Sequence, residues 1–267
     1  MSEKPFGLSR DGFLYHALSP LYEFYLNAVA GSSSMERTVN GTALRVLPAE
    51  RRFFPPDYDA PVAVFIKARI KPGQTCINVG ANIGTYVLQF ANWTAPTGRI
   101  IAFEPNQGAS RKLKKHVEIN GFKDRVTIVE AAVSNAPGKA EFFACDSDGM
   151  SRLGQPNPQL KDKAVSRQVD VVTLDDYFEQ HPTKPDWLLI DTEGYEIQVL
   201  EGARKTLEAG RGALTILVEM HSDAWASTGR KRADLEALLA ELRMEAIPIT
   251  GQRDPLKDYG IVALIYK

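Results

Sequence analysis

A glycine-bounded turn after an apolar run is the first feature of this chain that could do chemistry. The segment from Cys76 to Gly84 reads CINVGANIG, so a short strand pattern ends at Gly80 and a helical pattern follows Gly84. A second apolar run, IIAFE, ends in Glu104 about 20 residues further on. Backbone N–H groups in such a turn can face a ligand, and a carboxylate at the end of the next strand can accept ribose hydroxyl hydrogens. This pairing predicts a site for a nucleotide-type cofactor that carries a ribose.

The glycine spacing indicates which cofactor this is. Dinucleotide sites have the pattern GxGxxG, whose middle glycine lets the main chain approach a pyrophosphate, whereas Gly80 and Gly84 enclose Asn82 at that middle position. The Asn82 side chain takes up space that a pyrophosphate would need. S-adenosylmethionine has a ribose and an adenine but no phosphate, so it suits this turn better. A nicotinamide-dependent oxidoreductase is the alternative, and the chain has no Tyr-x-x-x-Lys pair near a cofactor strand to support it.

Strand and helix patterns alternate from residue 75 onward. Strands are predicted at 75–80, 99–104, 126–131, 187–191, 214–220, 246–249 and 261–266, with helices near 83–92, 107–120, 195–208 and 230–243. After the third strand, β-type stretches at 139–144 and 169–173 replace a clear helix. The alternation predicts an α/β protein with a mostly parallel seven-stranded sheet, helices on both faces and an antiparallel strand at or near one edge.

Ligands of such sheets bind outside the carboxyl ends of the strands. Polar residues stand at those ends: Asp191 and Glu193 follow the fourth main strand, and Glu219 and His221 end the next one. A turn that is only structural does not require acidic residues at these points. The strand ends are therefore where we expect the chemistry.

The chain is predicted to have an N-terminal extension, residues 1–60, and a main domain, residues 61–267. Residues 13–29 are rich in Leu, Tyr and Phe at helical spacing, and Asn40-Gly41 between β-type residues is a strong hairpin signal. We expect the extension to act as a lid over the site, or as an arm that covers the sheet or joins two copies in a homo-oligomer.

Composition excludes several classes of partner. The 267 residues are 44% hydrophobic and 24% charged with a net charge of −1, so no basic field favours a nucleic acid.

The two cysteines, Cys76 and Cys145, lie in apolar contexts without metal-ligand spacing, which is typical of reduced core thiols. The start of the chain lacks a signal-peptide pattern, and no apolar run approaches ~18 residues. We expect a cytoplasmic protein without a membrane span.

Six segments in order resemble the FkbM family of S-adenosylmethionine-dependent methyltransferases. They are NVGANIGTY from Asn78, IAFEPN from Ile101, VEAAVSN from Val129, VTLDD from Val172, LIDTEGYEIQVLEGA from Leu189 and VEMH from Val218. The resemblance implies a Rossmann-like methyltransferase fold and O-methylation of a hydroxyl on a small molecule, which is a sugar, for example in a glycoside, or a secondary metabolite. Two positions depart from the family pattern, which usually has Asp where Asn78 stands and Lys where Leu189 stands.

The resemblance also assigns residues to the cofactor. Those predicted to contact S-adenosylmethionine are Asn78, Gly80, Ala81, Asn82, Gly84, Glu104, Pro105, Ala131 and Asp191. A non-catalytic protein that binds the cofactor without turnover is the alternative that the two departures leave open.

Methylation of a sugar hydroxyl needs a proton acceptor. His221 is the first candidate because an imidazole titrates near neutral pH, with Asp191 and Glu193 as further catalytic candidates, Asp191 orienting His221 or the substrate. Structural alternatives are a hydrogen-bonded loop histidine and a helix-capping aspartate. Asp191, Glu193, Glu219 and His221 could instead converge on a divalent metal that binds the acceptor hydroxyl and lowers its pKa.

The sequence also predicts the surroundings of Arg152 and His116. Arg152 lies in a polar loop suited to closing over a substrate, where it could hold an anionic or sugar group or remain a surface arginine. His116 lies in the Lys-rich segment 111–116, which is typical of a solvated helix face.

Overall fold

A computed structural model of the protein describes residues 34–144, 151–158, 162 and 164–267. The chain divides into two compact units, Met1–Tyr58 and Asp59–Lys267. The helices predicted at 13–29 and Cys145 lie outside the described residues.

The first unit contains a β-hairpin. Its strands, β1 (Met35–Val39) and β2 (Thr42–Val46), pair antiparallel. The connecting residues Asn40 and Gly41 have φ of +49° and +74°, so both are left-handed, as a two-residue hairpin turn requires. The predicted hairpin is confirmed. A short 3₁₀ helix, Pro48–Phe53, follows with proline at its start, where the missing N–H costs nothing.

The second unit contains the remaining elements. Its strands are β3 Thr75–Val79, β4 Arg99–Phe103, β5 Val126–Val129, β6 Ala132–Val133, β7 Gly138–Ala144, β8 Arg152–Leu153, β9 Val165–Val172, β10 Trp187–Ile190, β11 Thr215–Met220, β12 Met244–Pro248 and β13 Gly260–Tyr266. Its helices are α1 Ala60–Lys67, α2 Thr85–Trp93, α3 Gln107–Ile119, α4 Leu174–Gln180, α5 Glu196–Glu201, α6 Arg204–Ala209, α7 Ser222–Trp225 and α8 Arg232–Glu241, with a 3₁₀ turn at Ala226–Thr228.

Seven strands form the main sheet in the order β12-β13-β11-β10-β3-β4-β5. The pairs from β11 to β5 are parallel, whereas β13 runs antiparallel to both of its neighbours. All four residues of β10 are buried, and because successive side chains point to opposite faces, both faces of the sheet are covered. This is the predicted Rossmann-like methyltransferase fold, with the antiparallel strand second from the edge.

A second sheet interrupts the β–α alternation after β5. Its order is β6-β9-β7-β8, and β7 pairs antiparallel with both β9 and β8. The predicted β-type stretches at 139–144 and 169–173 form part of this sheet. Its edge strand β8 carries Arg152, which reaches the site described below.

Local structure differs from the sequence prediction around residue 202. One helix was expected over 195–208, but α5 and α6 are separate and Gly202 lies between them. The Gly202 carbonyl accepts a hydrogen bond from Asp175 N at 2.9 Å, and a Cβ at Gly202 would lie 2.1 Å from the carbonyl oxygen of Ser134. The helix is therefore interrupted where a distant part of the backbone packs against it.

The expectation of a solvated His116 is wrong. Its side chain is fully buried, and Nδ1 lies 2.8 Å from the carbonyl oxygen of Ile83. The imidazole joins α3 to the segment that leads into α2. The neighbouring Lys114 and Lys115 are exposed, so the pattern of charges alone does not reveal this inward-facing position.

No described helix combines the length and the apolar composition that a bilayer-spanning helix needs.

Candidate functional site

The turn between β3 and α2 has a backbone that requires glycine. Gly80 and Gly84 have φ of +81° and +100°, and Asn82 between them has φ +48°. A Cβ at Gly80 would lie 1.7 Å from the carbonyl oxygen of Asp191, and one at Gly84 would lie 2.4 Å from Cδ1 of Leu113. No side chain fits at Gly80. The predicted cofactor turn therefore runs directly against the end of β10, where Asp191 lies.

The N–H groups of this turn bond to the protein. Gly80 N and Ala81 N both donate to the carbonyl oxygen of Phe103 at 3.0 Å, and Asn82 N donates to Oε2 of Glu104 at 2.6 Å. The expectation that these three donors face a ligand is wrong, because the end of β4 lies close enough to accept all of them. Cofactor contact through other atoms of Gly80, Ala81 and Asn82 stays a prediction.

Glu104 is a buried carboxylate that accepts two backbone N–H groups. Glu104 is only 6% exposed. Its Oε2 accepts a hydrogen bond from Asn82 N, and its Oε1 accepts one from Asn106 N at 2.7 Å. Burial raises its pKa to about 7, although these two hydrogen bonds oppose the rise. An ionised carboxylate has about four acceptor positions, so two remain for further donors such as ribose hydroxyls.

Apart from Asp191 after β10, the other predicted cofactor residues lie at the carboxyl ends of β3, β4 and β5, which are neighbours in the sheet. Pro105 is half-buried after β4, and Ala131 is buried after β5. Asn78 is buried in β3, and its Nδ2 has no hydrogen-bond partner among the described residues. Asn78 is also the register partner of Leu189 in β10, so the two departures from the family pattern lie side by side.

An acid–histidine cluster lies at the ends of β10 and β11. We use this name for Asp191, Glu193, Glu219 and His221. Ligand atoms of Asp191, Glu219 and His221 all lie within 4.8 Å of one another. Glu193 is outside that triplet, but its Oε1 is 3.6 Å from Nε2 of His221. The fold thus brings together the polar residues that the sequence placed at two neighbouring strand ends.

Charges in the cluster shift the ionisation of its members. Burial raises the pKa of Asp191 well above its usual 3.8, and the Glu219 carboxylate raises it further. For His221, burial lowers the pKa, but a hydrogen bond to Glu196 and the charges of Glu196, Asp191 and Glu193 outweigh it and raise the pKa to about 10. The isolated protein therefore holds His221 as a cation at neutral pH.

Sequence reasoning missed Glu196, which is fully buried in the first turn of α5. Its Oε1 lies 2.9 Å from Nδ1 of His221 and accepts from Gly194 N at 2.8 Å, and its Oε2 accepts from Trp225 Nε1 at 2.7 Å. The available signal was an acidic residue directly before the apolar helical run from Ile197. His221 is at the N-cap position of α7, but its side chain makes no capping bond.

Tyr259 and Asp59 were also missed. Tyr259 is largely exposed, but a partial loss of hydration and a hydrogen bond to the Glu219 carboxylate both raise its pKa. Its ring centroid lies 5.5 Å from that of His221. Burial raises the pKa of Asp59, whose carboxylate accepts from the Tyr86 hydroxyl at 2.8 Å and feels the charge of Glu219. Asp59 stands directly before α1 and Tyr259 directly before the antiparallel strand β13, so neither follows a buried parallel strand, where the chemistry was expected.

Arg152 contributes a cation to the cluster. Its Nη2 donates to Oε2 of Glu193 at 3.2 Å, and both side chains are largely buried. A Cβ at Gly154, next to β8, would lie 2.8 Å from the hydroxyl oxygen of Tyr195, so β8 packs closely on the segment after β10. Nε of Arg152 is buried without a partner among the described residues.

Solved structures of methyltransferases are similar in fold. A methyltransferase FkbM from Methylobacillus flagellatus KT is 17% identical with a TM-score of 0.49, and the alignment covers 74% of this chain and 44% of that one. A SAM-dependent methyltransferase from Aquifex aeolicus is 13% identical (TM-score 0.43, covering 80% and 96%). An Aeropyrum pernix fibrillarin with natively bound S-adenosyl-L-methionine is 12% identical (TM-score 0.43, covering 88% and 83%). This chain thus spans less than half of the Methylobacillus protein. No curated protein gives a significant match.

A comparison with protein families covers more than half of the chain. The family model for the methyltransferase FkbM domain matches residues 78–245, which include the glycine turn, Glu104 and the whole acid–histidine cluster. The chain therefore belongs to the FkbM methyltransferase family.

Proposed function

We propose that this protein transfers a methyl group from S-adenosylmethionine to a hydroxyl group of a small molecule such as a glycoside. One observation carries the proposal. The glycine turn, proposed to border the methyl donor, lies against Asp191, whose side chain belongs to a cluster able to handle a proton. Methyl transfer to a hydroxyl needs a donor site and a proton acceptor side by side.

The residues at the turn fit this cofactor. Glu104 keeps acceptor positions for two ribose hydroxyls, and Asn78 Nδ2 is a buried donor without a partner among the described residues. Three N–H groups of the turn already donate hydrogen bonds within the protein, so they are not available to bind a phosphate group. This disfavours a dinucleotide cofactor. When bound, S-adenosylmethionine supplies an electrophilic methyl group on a positively charged sulfur.

The acid–histidine cluster is proposed to accept the proton of the acceptor hydroxyl. His221 is the proposed base, and the carboxylates of Asp191 and Glu193 orient it or the substrate. In the isolated protein these carboxylates help keep His221 protonated. A positive charge bound beside the cluster opposes them and lowers the pKa of His221, which favours the basic form that accepts the proton.

A divalent cation is a second candidate mechanism, favoured by the short distances among Asp191, Glu219 and His221. These offer two carboxylate oxygens and one imidazole nitrogen, and open positions would bind the acceptor hydroxyl and lower its pKa. Glu193, engaged by Arg152, would not be a ligand in this arrangement. Loss of activity after exhaustive treatment with EDTA, and recovery with Mg²⁺, supports the cation. Full activity after chelation excludes it.

A small-molecule acceptor fits the net charge of −1 better than a nucleic acid does. The role of residues 1–60 as a lid or arm, a homo-oligomeric state and a cytoplasmic location stay predictions.

The first experiment is calorimetric titration of the protein with S-adenosylhomocysteine and, separately, with NAD and NADP. Micromolar binding of S-adenosylhomocysteine alone is expected. The protein is then incubated with S-adenosylmethionine and a panel of methyl glycosides and simple alcohols, and S-adenosylhomocysteine release is measured. Binding of only a nicotinamide cofactor contradicts the proposal. Binding of S-adenosylhomocysteine without turnover on a broad acceptor panel favours the non-catalytic alternative.

A further inference from the structure

Glu196 is a carboxylate that the fold buries completely, at the start of a helix whose next residues, from Ile197, are core residues. Removing a carboxylate from water is strongly unfavourable unless donors surround it. The partners of Glu196 therefore indicate why a charge is present.

Those partners come from two different strand ends. Gly194 N belongs to the segment after β10, whereas Trp225 Nε1 and His221 Nδ1 belong to the segment after β11. One carboxylate thus links the two segments that carry the acid–histidine cluster. Its three contacts, at 2.7 to 2.9 Å, join atoms of three different residues.

The hydrogen-bonding groups of these partners determine that Nδ1 of His221 carries a hydrogen. A backbone N–H and an indole N–H can only donate, so both oxygens of Glu196 act as acceptors. An acceptor-only carboxylate requires the third partner, Nδ1 of His221, to carry a hydrogen. Nε2 is then the ring nitrogen on the side of Glu193, whose Oε1 is 3.6 Å away.

We propose that Glu196 is a positioning residue that holds Nδ1–H of His221 and so directs Nε2 towards the reacting hydroxyl. The inference rests on the proposed function for its catalytic meaning, but the geometry can be tested without any substrate. Carboxylates that hold the far nitrogen of a working histidine are a general means of fixing its tautomer and ring orientation.

The first test is NMR spectroscopy of the ligand-free protein with ¹⁵N-labelled histidine, in which His221→Asn assigns the signal. A slowly exchanging, downfield Nδ1 proton of His221 is expected in the wild-type protein. It should be lost in Glu196→Gln and retained in Glu201→Gln. Glu201 lies on the same helix and pairs with Arg230, so this control makes the same chemical change away from the cluster. A wild-type His221 without a protected Nδ1 proton overturns the proposal.

The second test is turnover on an acceptor found in the panel above. Glu196→Gln should bind S-adenosylhomocysteine as wild type does but lower kcat about 100-fold, with the KM for S-adenosylmethionine unchanged. A folded Glu196→Gln protein with wild-type kcat refutes the proposal. If the wild-type protein methylates nothing, the proposed function fails, and the NMR result still decides whether Glu196 positions His221. Misfolding of Glu196→Gln leaves the wild-type spectrum as the deciding measurement.

Discussion

Replacement of Glu104 by glutamine should change both the pH dependence of stability and the affinity for S-adenosylhomocysteine. Glu104 is buried, and its ordinary pKa of 4.5 is raised to about 7. That difference corresponds to roughly 3 kcal/mol. Because the folded protein holds this proton more tightly than the unfolded chain, Glu104 contributes stability fully below pH 4.5 and loses it as the pH rises through about 7.

Glu104→Gln removes the titrating group but keeps its size. The free energy of unfolding of the wild-type protein should therefore fall by roughly 3 kcal/mol more than that of the variant between pH 4.5 and 7.5. At pH 8 the variant has no buried charge at this position. It loses one acceptor for the N–H groups of Asn82 and Asn106, which lowers its free energy of unfolding by about 1 kcal/mol. Urea unfolding at a series of pH values measures both effects. Glu118→Gln, an exposed glutamate on α3, is the matched control.

Ligand binding gives an independent measurement of the same group. If the ionised carboxylate accepts ribose hydroxyls, the affinity of the wild-type protein should fall about tenfold per pH unit below pH 7. Glu104→Gln should bind about 10- to 100-fold more weakly at pH 8, since a hydrogen bond to a charged group contributes about 1.5–3 kcal/mol. Calorimetry across pH 5.5–8.5 measures this. Wild-type affinity in the variant at pH 8, or an equal pH dependence in both proteins, refutes the reasoning.

Two further substitutions test the packing around the site by denaturant unfolding. Gly80→Ala should lower the free energy of unfolding by about 3 kcal/mol or more, because its Cβ would lie 1.7 Å from the Asp191 carbonyl oxygen. Gly121→Ala, the control, is also left-handed but lies in open space, and it should lower the free energy of unfolding by about 1 kcal/mol. Equal costs would contradict the close contact. His116→Ala should lower the free energy of unfolding by about 2–4 kcal/mol, because it leaves a cavity and removes the partner of the Ile83 carbonyl. A change below about 0.5 kcal/mol would instead indicate the solvated histidine that the sequence suggested.

Local sequence patterns were sufficient to predict most of the main domain. Apolar runs closed by glycine or acidic residues marked the strands, and Asn40-Gly41 marked the hairpin because few other residue pairs adopt two left-handed conformations. The prediction of a single helix over 195–208 was wrong because the interruption at Gly202 comes from Ser134 and Asp175. Both residues are distant in sequence, and no local pattern contains that contact.

The sequence by itself determined the fold class and the strand ends at which Asp191, Glu193, Glu219 and His221 lie, because polar residues that follow buried parallel strands must emerge at one edge of the sheet. Only the tertiary structure decided how these groups behave. It brought Glu196 to His221. Elsewhere in the sheet, it directed the N–H groups of the glycine turn to β4 rather than to a ligand, and buried Glu104 with two backbone donors. Ionisation and hydrogen bonding depend on burial and on partners from other elements, and these exist only once the chain has folded.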